Sequence, residues 1–393
     1  MAATEKGVWD IQDVRDKQLA SEWAYTTPSF SQTWTTGNSN TLGVSLTGPA
    51  FRSSPVQVPG ITWGGPSSIS NIRLSTGIGE AFRMWLKNDG TIWGAGSGKK
   101  LGQNNNSTYS SPKQLGTGTD WRSLSVSWAQ TAAVKTDGTL YMWGESVGYG
   151  ELGHNNNTTY SSPKQIPGTT WGEWVGTTDA QNVSMNIKTD GTLWAWGQNA
   201  WGGLGQNDRT QRSSPVQIPG TWSNPKDMTS KSIIKSDGSL WSWGYNRYGG
   251  LGLNEGSAPS YTGHRSSPTQ LPGTWSYISR GINATFCIKP DTTLWAMGKN
   301  DYGQLGQGLT DHRSSPTQIP GAWKNVVTGG VVGTVMGVKT DNTLWVWGDG
   351  GNAGAMGDNT RNIDYSSPTQ LPGNWKDTGA INSYGLTAFK ADS

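Results

Sequence analysis

The sequence predicts an all-β protein, a seven-bladed β-propeller whose last blade is closed by the N-terminal strand. Three observations support this fold: a tripeptide that recurs seven times, a β-hairpin signature inside each repeat, and a repeat that is split between the two ends of the chain. A ring of small antiparallel sheets leaves only short, protected strand edges, which suits a chain built from such units.

The recurring tripeptide is Ser-Ser-Pro. Its copies lie roughly 50 residues apart, and a period of that size is typical of stacked or circular arrays of one supersecondary unit. The prolines of the seven copies are Pro55, Pro112, Pro163, Pro215, Pro268, Pro316 and Pro368.

Between the prolines lies Lys-x-Asp followed by Leu-Trp. Asp190-Gly191 is typical of a two-residue hairpin turn, because both residues tolerate positive φ. The flanking residues alternate between β-branched or aromatic and other types, which indicates strands. The lysines of this signature are Lys87, Lys135, Lys188, Lys235, Lys289 and Lys339. Each repeat is therefore predicted to be a small antiparallel sheet, with its tryptophans packed between neighbouring sheets.

The two ends of the chain share one repeat. The seventh copy reaches Lys390 and stops at Ser393 without a Leu-Trp strand. Trp34 precedes Pro55 by as many residues as Trp194 precedes Pro215, so the first strand fits the missing place. An open array would instead need polar capping repeats. We therefore predict a closed propeller over residues 31–393 and a separate N-terminal anchor or tail over residues 1–30.

These motifs resemble a known family. Asp-Gly-Thr-Leu-Trp, then Trp-Gly-x-Asn as in Trp196–Asn199, then Gly303-Gln304-Leu305-Gly306 and a loop that ends at proline are similar to the regulator of chromosome condensation repeat. The resemblance covers about residues 31–393 and implies the seven-bladed propeller. It implies no single function, because members include regulators of a small GTPase, chromatin binders and general binding platforms.

Composition argues against an enzyme. Cys287 is the only cysteine and is expected to be buried filler, and the three histidines are dispersed without the spacing of metal ligands. No nucleophile, paired-carboxylate or phosphate-binding motif stands out. We therefore predict no catalytic residue, no metal site and no cofactor.

Charge and hydropathy limit the classes of partner that we expect for this protein. The net charge is +3, and the first 25 residues hold more acidic than basic side chains, so we expect no nucleic-acid partner. No apolar run is long enough for a membrane span, and the start lacks the apolar core of a secretion signal.

The N-terminal segment is the predicted anchor to a larger assembly, the alternative being a flap packed on its own propeller. Its opening residues resemble those of tailed-phage structural proteins. Its two tryptophans would be costly to leave in water and are typical interface anchors. The predicted partner-binding residues are Val8, Trp9, Ile11, Val14 and Trp23.

A second candidate surface follows from the position directly before Ser-Ser-Pro. Repetition places these residues on one level of the ring, and they are all arginine or tyrosine, which are common at binding hot spots. Contacts between blades are the other interpretation. The seven residues are Arg52, Tyr109, Tyr160, Arg212, Arg265, Arg313 and Tyr365.

These observations together favour a non-enzymatic structural or binding protein. The first expectation is a phage virion component, located in a tail, fibre or capsid surface, that contacts other virion proteins through its N-terminal segment and a host glycan or protein through the propeller. The alternative is a cellular, cytoplasmic interaction platform or small-GTPase regulator. A glycan-processing enzyme would instead need a buried carboxylate pair in the central channel.

Overall fold

The protein is described by a computed structural model. It describes residues 34–38, 51–57, 82–87, 89–96, 98–127, 129–172, 182–222, 227–229, 231–255, 263–281, 283–328, 333–350, 363–382 and 385–390. Among these residues, no helix is long and apolar enough to cross a membrane.

The described residues form 25 antiparallel strands. In chain order they are β1 Trp34–Asn38, β2 Phe51–Gln57, β3 Phe82–Leu86, β4 Ile92–Gly96, β5 Tyr109–Gln114, β6 Trp121–Val126, β7 Gln130–Lys135, β8 Leu140–Gly144, β9 Tyr160–Gln165, β10 Val183–Ile187, β11 Leu193–Gly197, β12 Arg212–Ile218, β13 Asp227–Thr229, β14 Ser232–Ile234, β15 Leu240–Gly244, β16 Arg265–Leu271, β17 Tyr277–Arg280, β18 Ala284–Ile288, β19 Thr293–Gly298, β20 Arg313–Thr328, β21 Thr334–Lys339, β22 Leu344–Gly348, β23 Tyr365–Leu371, β24 Trp375–Asn382 and β25 Gly385–Lys390.

The strands group into the predicted blades, which we number from the sheet of β3–β5. The following blades are β6–β9, β10–β12, β13–β16, β17–β20 and β20–β23, and the long strand β20 belongs to two of them. Contacts between successive blades run through their first strands, β13 with β17, β17 with β20 and β20 with β24, so these strands lie nearest the centre. The Ser-Ser-Pro strands are the outer edges. The prediction of an all-β propeller is confirmed.

The sequence signatures have direct structural causes. Gly191 closes the hairpin between β10 and β11 at a φ of 80°, which a side chain would strain. Pro215 lies at a break in the register between β11 and β12 on an outer strand. Proline cannot donate a ladder hydrogen bond, so it is tolerated there and protects the edge against pairing with another chain.

The core lies between the blades. Trp243 of the fourth blade packs against Val183, Leu193 and Leu204 of the third, and all four side chains are fully buried. Cys287 is also buried, as predicted.

In the described connections, a second contact joins each of the first five blades to the next. Gly150, in the connection before β9, lies so close to β12 of the next blade that a Cβ would come 2.4 Å from the Cα of Ser213. Asn155 in the same connection donates its main-chain N–H to the Ser213 carbonyl at 2.7 Å. The same hydrogen bond joins Asn104 to Ser161, Asn207 to Ser266, Asn254 to Ser314 and Gly308 to Ser366.

The N-terminal strand β1 pairs with β2 in the predicted register. β1 pairs with β2 through Trp34–Gln57 and Gly37–Arg52, which repeats the Trp194–Gln217 and Gly197–Arg212 register of β11 and β12. No pairing among the described strands joins β1 to β25. Closure of the last blade by β1 therefore stays a prediction.

Candidate functional site

Consecutive connections of an antiparallel blade alternate between its two ends, so the propeller has two faces. We call the face with the Lys-x-Asp turns the hairpin face, and the face with the connections into the Ser-Ser-Pro strands the loop face.

The hairpin face is held by contacts within each repeat. The Asp190 carboxylate accepts hydrogen bonds from the Thr192 hydroxyl at 2.6 Å and from its N–H at 2.9 Å, and these bonds lower the pKa of Asp190. The Thr192 hydroxyl in turn accepts the indole N–H of Trp194 at 2.8 Å. The aspartates with the same pair of bonds are Asp89, Asp137, Asp237, Asp291 and Asp341. The aspartate of the Lys-x-Asp signature therefore stabilises the hairpin turn.

Each lysine of the signature is flanked by aromatic rings. The Lys188 ammonium lies 4.8 Å from the ring centre of Trp171 and 4.3 Å from that of Trp194, which is the range of cation–π attraction. Lys339 lies 5.0 Å from Trp323 and 3.8 Å from Trp345, and burial lowers its pKa. In both cases the chain's own lysine lies beside the two tryptophan rings. These tryptophans are therefore not open surfaces on which a ligand ring could stack.

On the loop face, the seven predicted arginines and tyrosines occupy one register position. Each pairs with a glycine at or next to the end of the preceding strand: Arg52 and Gly37, Tyr109 and Gly96, Tyr160 and Gly144, Arg212 and Gly197, Arg265 and Gly244, Arg313 and Gly298, Tyr365 and Gly348. Those with described burial are all partly buried. The seven residues therefore share one register position in their blades.

The described hydrogen bonds and ion pairs of these side chains lie within their own blade, while Tyr160 and Tyr365 also pack against buried clusters that span two blades. Arg212 donates to the Asp208 carboxylate at 2.8 Å, and the Tyr160 hydroxyl accepts from the Asn156 amide at 2.9 Å. Arg265 likewise pairs with Glu255. These contacts give Arg212, Tyr160 and Arg265 a part in holding their loops, and the role of the seven residues in ligand binding stays a prediction.

An aromatic residue directly before Gly-x-Leu-Gly was missed by sequence reasoning. Its fixed offset from that motif in four consecutive blades was the available signal. The four residues are Tyr149, Trp201, Tyr248 and Tyr302. Trp201 reaches the next blade, with its ring 4.7 Å from that of His264, and Tyr248 lies 5.0 Å from His312.

Two of the three histidines thus pack against rings across blade boundaries. Within the described ranges, no group of three or more His, Cys, Asp or Glu side chains could hold a metal ion.

Among the described residues, the large exposed apolar side chains lie on the loop face. In the described part of the chain they are Val147, Tyr302, Leu309 and Ile363, with exposed fractions of 40%, 41%, 52% and 45%. All four lie in connections that lead into Ser-Ser-Pro strands. The predicted anchor residues Val8, Trp9, Ile11, Val14 and Trp23 lie outside the described residues.

Three consecutive segments of the chain match the regulator of chromosome condensation (RCC1) repeat, over residues 190–230, 237–288 and 291–333. The E3 ubiquitin-protein ligase HERC2 of Homo sapiens is 26% identical over 256 residues, which is 61% of this chain and 5% of the ligase. The ultraviolet-B receptor UVR8 of Arabidopsis thaliana is 26% identical over 218 residues, or 53% of this chain and 47% of the receptor. The matches therefore cover less than half of these relatives.

Solved structures share the fold. Prp20p from Saccharomyces cerevisiae, described with its binding to Gsp1p and histones, superposes with a TM-score of 0.69 over 92% of both chains at 17% identity. Human WBSCR16 gives a TM-score of 0.63 over 92% of this chain and 99% of the other, also at 17% identity.

Proposed function

Because this chain is an RCC1-repeat protein, we propose that it is a protein-interaction platform: a rigid propeller that presents its loop face to partner proteins. Fold alone does not decide function, so the proposal depends on the surface.

One observation carries it. The large apolar side chains that remain exposed in the described ranges all fall on the loop face. Exposed apolar groups that cluster on one side of a soluble protein mark interaction sites. On the hairpin face, by contrast, the repeated aspartates, threonines and lysines are committed to hydrogen bonds and aromatic contacts within the repeats.

The relatives favour this function over a virion component. HERC2 and UVR8 come from a human and a plant, and the solved neighbour Prp20p is described by its binding to Gsp1p and histones. Prp20p is 17% identical to this chain, so we do not propose Gsp1p or histones as its partners. The ligase activity in the name of HERC2 is not transferred either, because the match covers 5% of that protein.

Site-specific photo-cross-linking tests the proposal. A photoreactive amino acid replaces Val147 or Tyr302 on the loop face, and Thr189 or Thr340, both exposed on the hairpin face, serve as controls. We expect discrete protein adducts, in the cells that make the protein, from the two loop-face positions and not from the controls. No adduct at any position would contradict the platform function, and adducts at the controls alone would contradict the choice of face.

The N-terminal segment is a second proposed contact. Removal of residues 1–25 should leave a folded propeller that has lost one partner, and Trp9→Ala should cause much of the same loss. A truncated protein that still joins its assembly would argue for a segment packed on its own propeller.

A further inference from the structure

We propose that the boundary between the fifth and sixth blades on the loop face docks a partner polypeptide that carries an apolar residue flanked by lysine or arginine. The inference rests on the proposed platform function and names the place and the chemistry of the partner. We call this surface the junction patch and define it by Tyr302, Leu309 and Ile363.

Three of the four exposed large apolar side chains in the described ranges belong to segments that adjoin at this boundary. Tyr302 and Leu309 lie in the connection of the fifth blade, and Ile363 lies just before β23 of the sixth. The fourth, Val147, belongs to the second blade and has no exposed apolar neighbour of this kind in its own described connection.

Two close contacts bring the patch together at Ser366. Gly303, next to Tyr302, lies so near that a Cβ would come 2.4 Å from the Cα of Ser366. Gly308, next to Leu309, donates its N–H to the Ser366 carbonyl at 2.7 Å. Ile363 lies three residues before Ser366 in the same segment. The three apolar side chains therefore flank the start of β23 from both blades.

The connection of the fifth blade is fixed in place before any partner arrives. The Asn300 side chain accepts the N–H of Leu305 at 2.8 Å, and its amide donates to the carbonyls of Leu309 at 2.8 Å and Asp311 at 3.0 Å. A surface that is already ordered loses little conformational entropy on binding, so more of its contact energy appears as affinity.

The rim of the patch is acidic. Asp311 and Asp364 are exposed, and within the described residues neither pairs with a lysine or arginine. The nearby Lys299 ammonium is already neutralised by Asp301 at 2.9 Å. Complementary charge guides association and suppresses wrong partners, so this rim favours a basic flank on the partner.

The apolar content favours a polypeptide over a sugar. Leu309 and Ile363 have no aromatic face on which a sugar ring could stack, whereas aliphatic and tyrosine side chains together suit the apolar centre of a protein interface. The Tyr302 ring, 5.6 Å from the Lys299 ammonium, already has a cation beside it.

Selection from a random peptide display library against the full chain tests the inference. We expect enriched peptides with one or two large apolar residues beside lysine or arginine. In the triple variant Tyr302→Ser, Leu309→Ser, Ile363→Ser, their affinity should fall at least tenfold. The control Thr340→Ser replaces an exposed side chain on the hairpin face and should change affinity less than twofold. Melting temperatures of both variants should match the parent, since the replaced side chains are exposed.

The outcomes separate the two proposals. No enrichment, enrichment of acidic peptides, or basic peptides that bind the triple variant as well as the parent would each overturn the junction patch. If the photo-cross-linked partners of the full chain are still captured by the triple variant, the platform function stands and the patch is wrong. If only the triple variant fails to capture these partners, the result supports both the platform function and the junction patch.

Discussion

The indole N–H of Trp196 in the third blade donates to the main-chain oxygen of Glu151 in the second blade at 3.0 Å. Trp143 and Lys100, Trp243 and Gly203, and Trp347 and Gln304 repeat this bond across other boundaries. The tryptophan directly before the glycine that ends each of these strands thus joins neighbouring blades by packing and by a hydrogen bond.

This bond predicts unequal roles for the two tryptophans of one strand. Trp196 is fully buried, and Trp196→Ala should destabilise the protein by about 3–5 kcal/mol. Trp194 is only half buried beside Lys188, so Trp194→Ala should cost less. Chemical denaturation measures both. Met297 fills the equivalent place in the fifth blade, so Trp196→Met is the control and should cost less than alanine. Equal losses at 194 and 196 would contradict the assignment.

Asn186 offers a stabilising substitution. Its side chain is fully buried, and neither amide atom has a hydrogen-bond partner. An unsatisfied buried polar group is unfavourable, so Asn186→Val should raise the free energy of unfolding by about 1 kcal/mol. The control is Ser184→Val on the same strand. Ser184 is equally buried but donates to the Glu151 carbonyl at 2.8 Å, so its loss should destabilise. A lower melting temperature for Asn186→Val would refute the prediction.

The loop contacts of the predicted arginines and tyrosines predict a coupled swap. Arg212 faces Asp208 in the third blade, where the second blade has Tyr160 and Asn156. Arg212→Tyr alone should weaken the connection by about 0.5–1 kcal/mol, and adding Asp208→Asn should restore most of it. Hydrogen exchange of residues 198–211 is the measurement. Additive effects of the two substitutions would show that the pair is not coupled.

Closure predicts that two N-terminal truncations differ. Deleting residues 1–37 removes most of β1, which pairs with β2, and should destabilise by about 3 kcal/mol or more if β1 completes the last blade. Deleting residues 1–25 leaves β1 intact and should change the melting temperature little. Equal melting temperatures would exclude a closing role for β1.

His154 predicts a pH dependence. Burial and the Lys164 ammonium lower the pKa of His154 from 6.5 to about 4. Between these values the unfolded chain binds the proton and the folded chain does not, so stability present above pH 6.5 is lost as the pH falls toward about 4. His154→Gln, the residue found at this position as Gln103 and Gln206, should flatten this part of the profile. An unchanged slope in the variant would assign the effect to other groups.

The sequence by itself determined the blades. Ser-Ser-Pro, Asp-Gly and the alternation around Trp194 are local signals, because turns and strands depend on neighbouring residues. They predicted the hairpins, the outer strands and the common level of residues such as Arg212 and Tyr160. Strand β1 also has the register that the position of Trp34 predicts.

Only the tertiary structure decided which side chains remain exposed. Tyr302 and Ile363 belong to different repeats, and their segments adjoin because Gly303 and Gly308 pack on Ser366 of the next blade. In the same way, Trp196 became an inter-blade donor while Trp194 was left half buried beside Lys188. Exposure depends on contacts between residues about 50 positions apart, and no local pattern records which atoms those contacts leave uncovered.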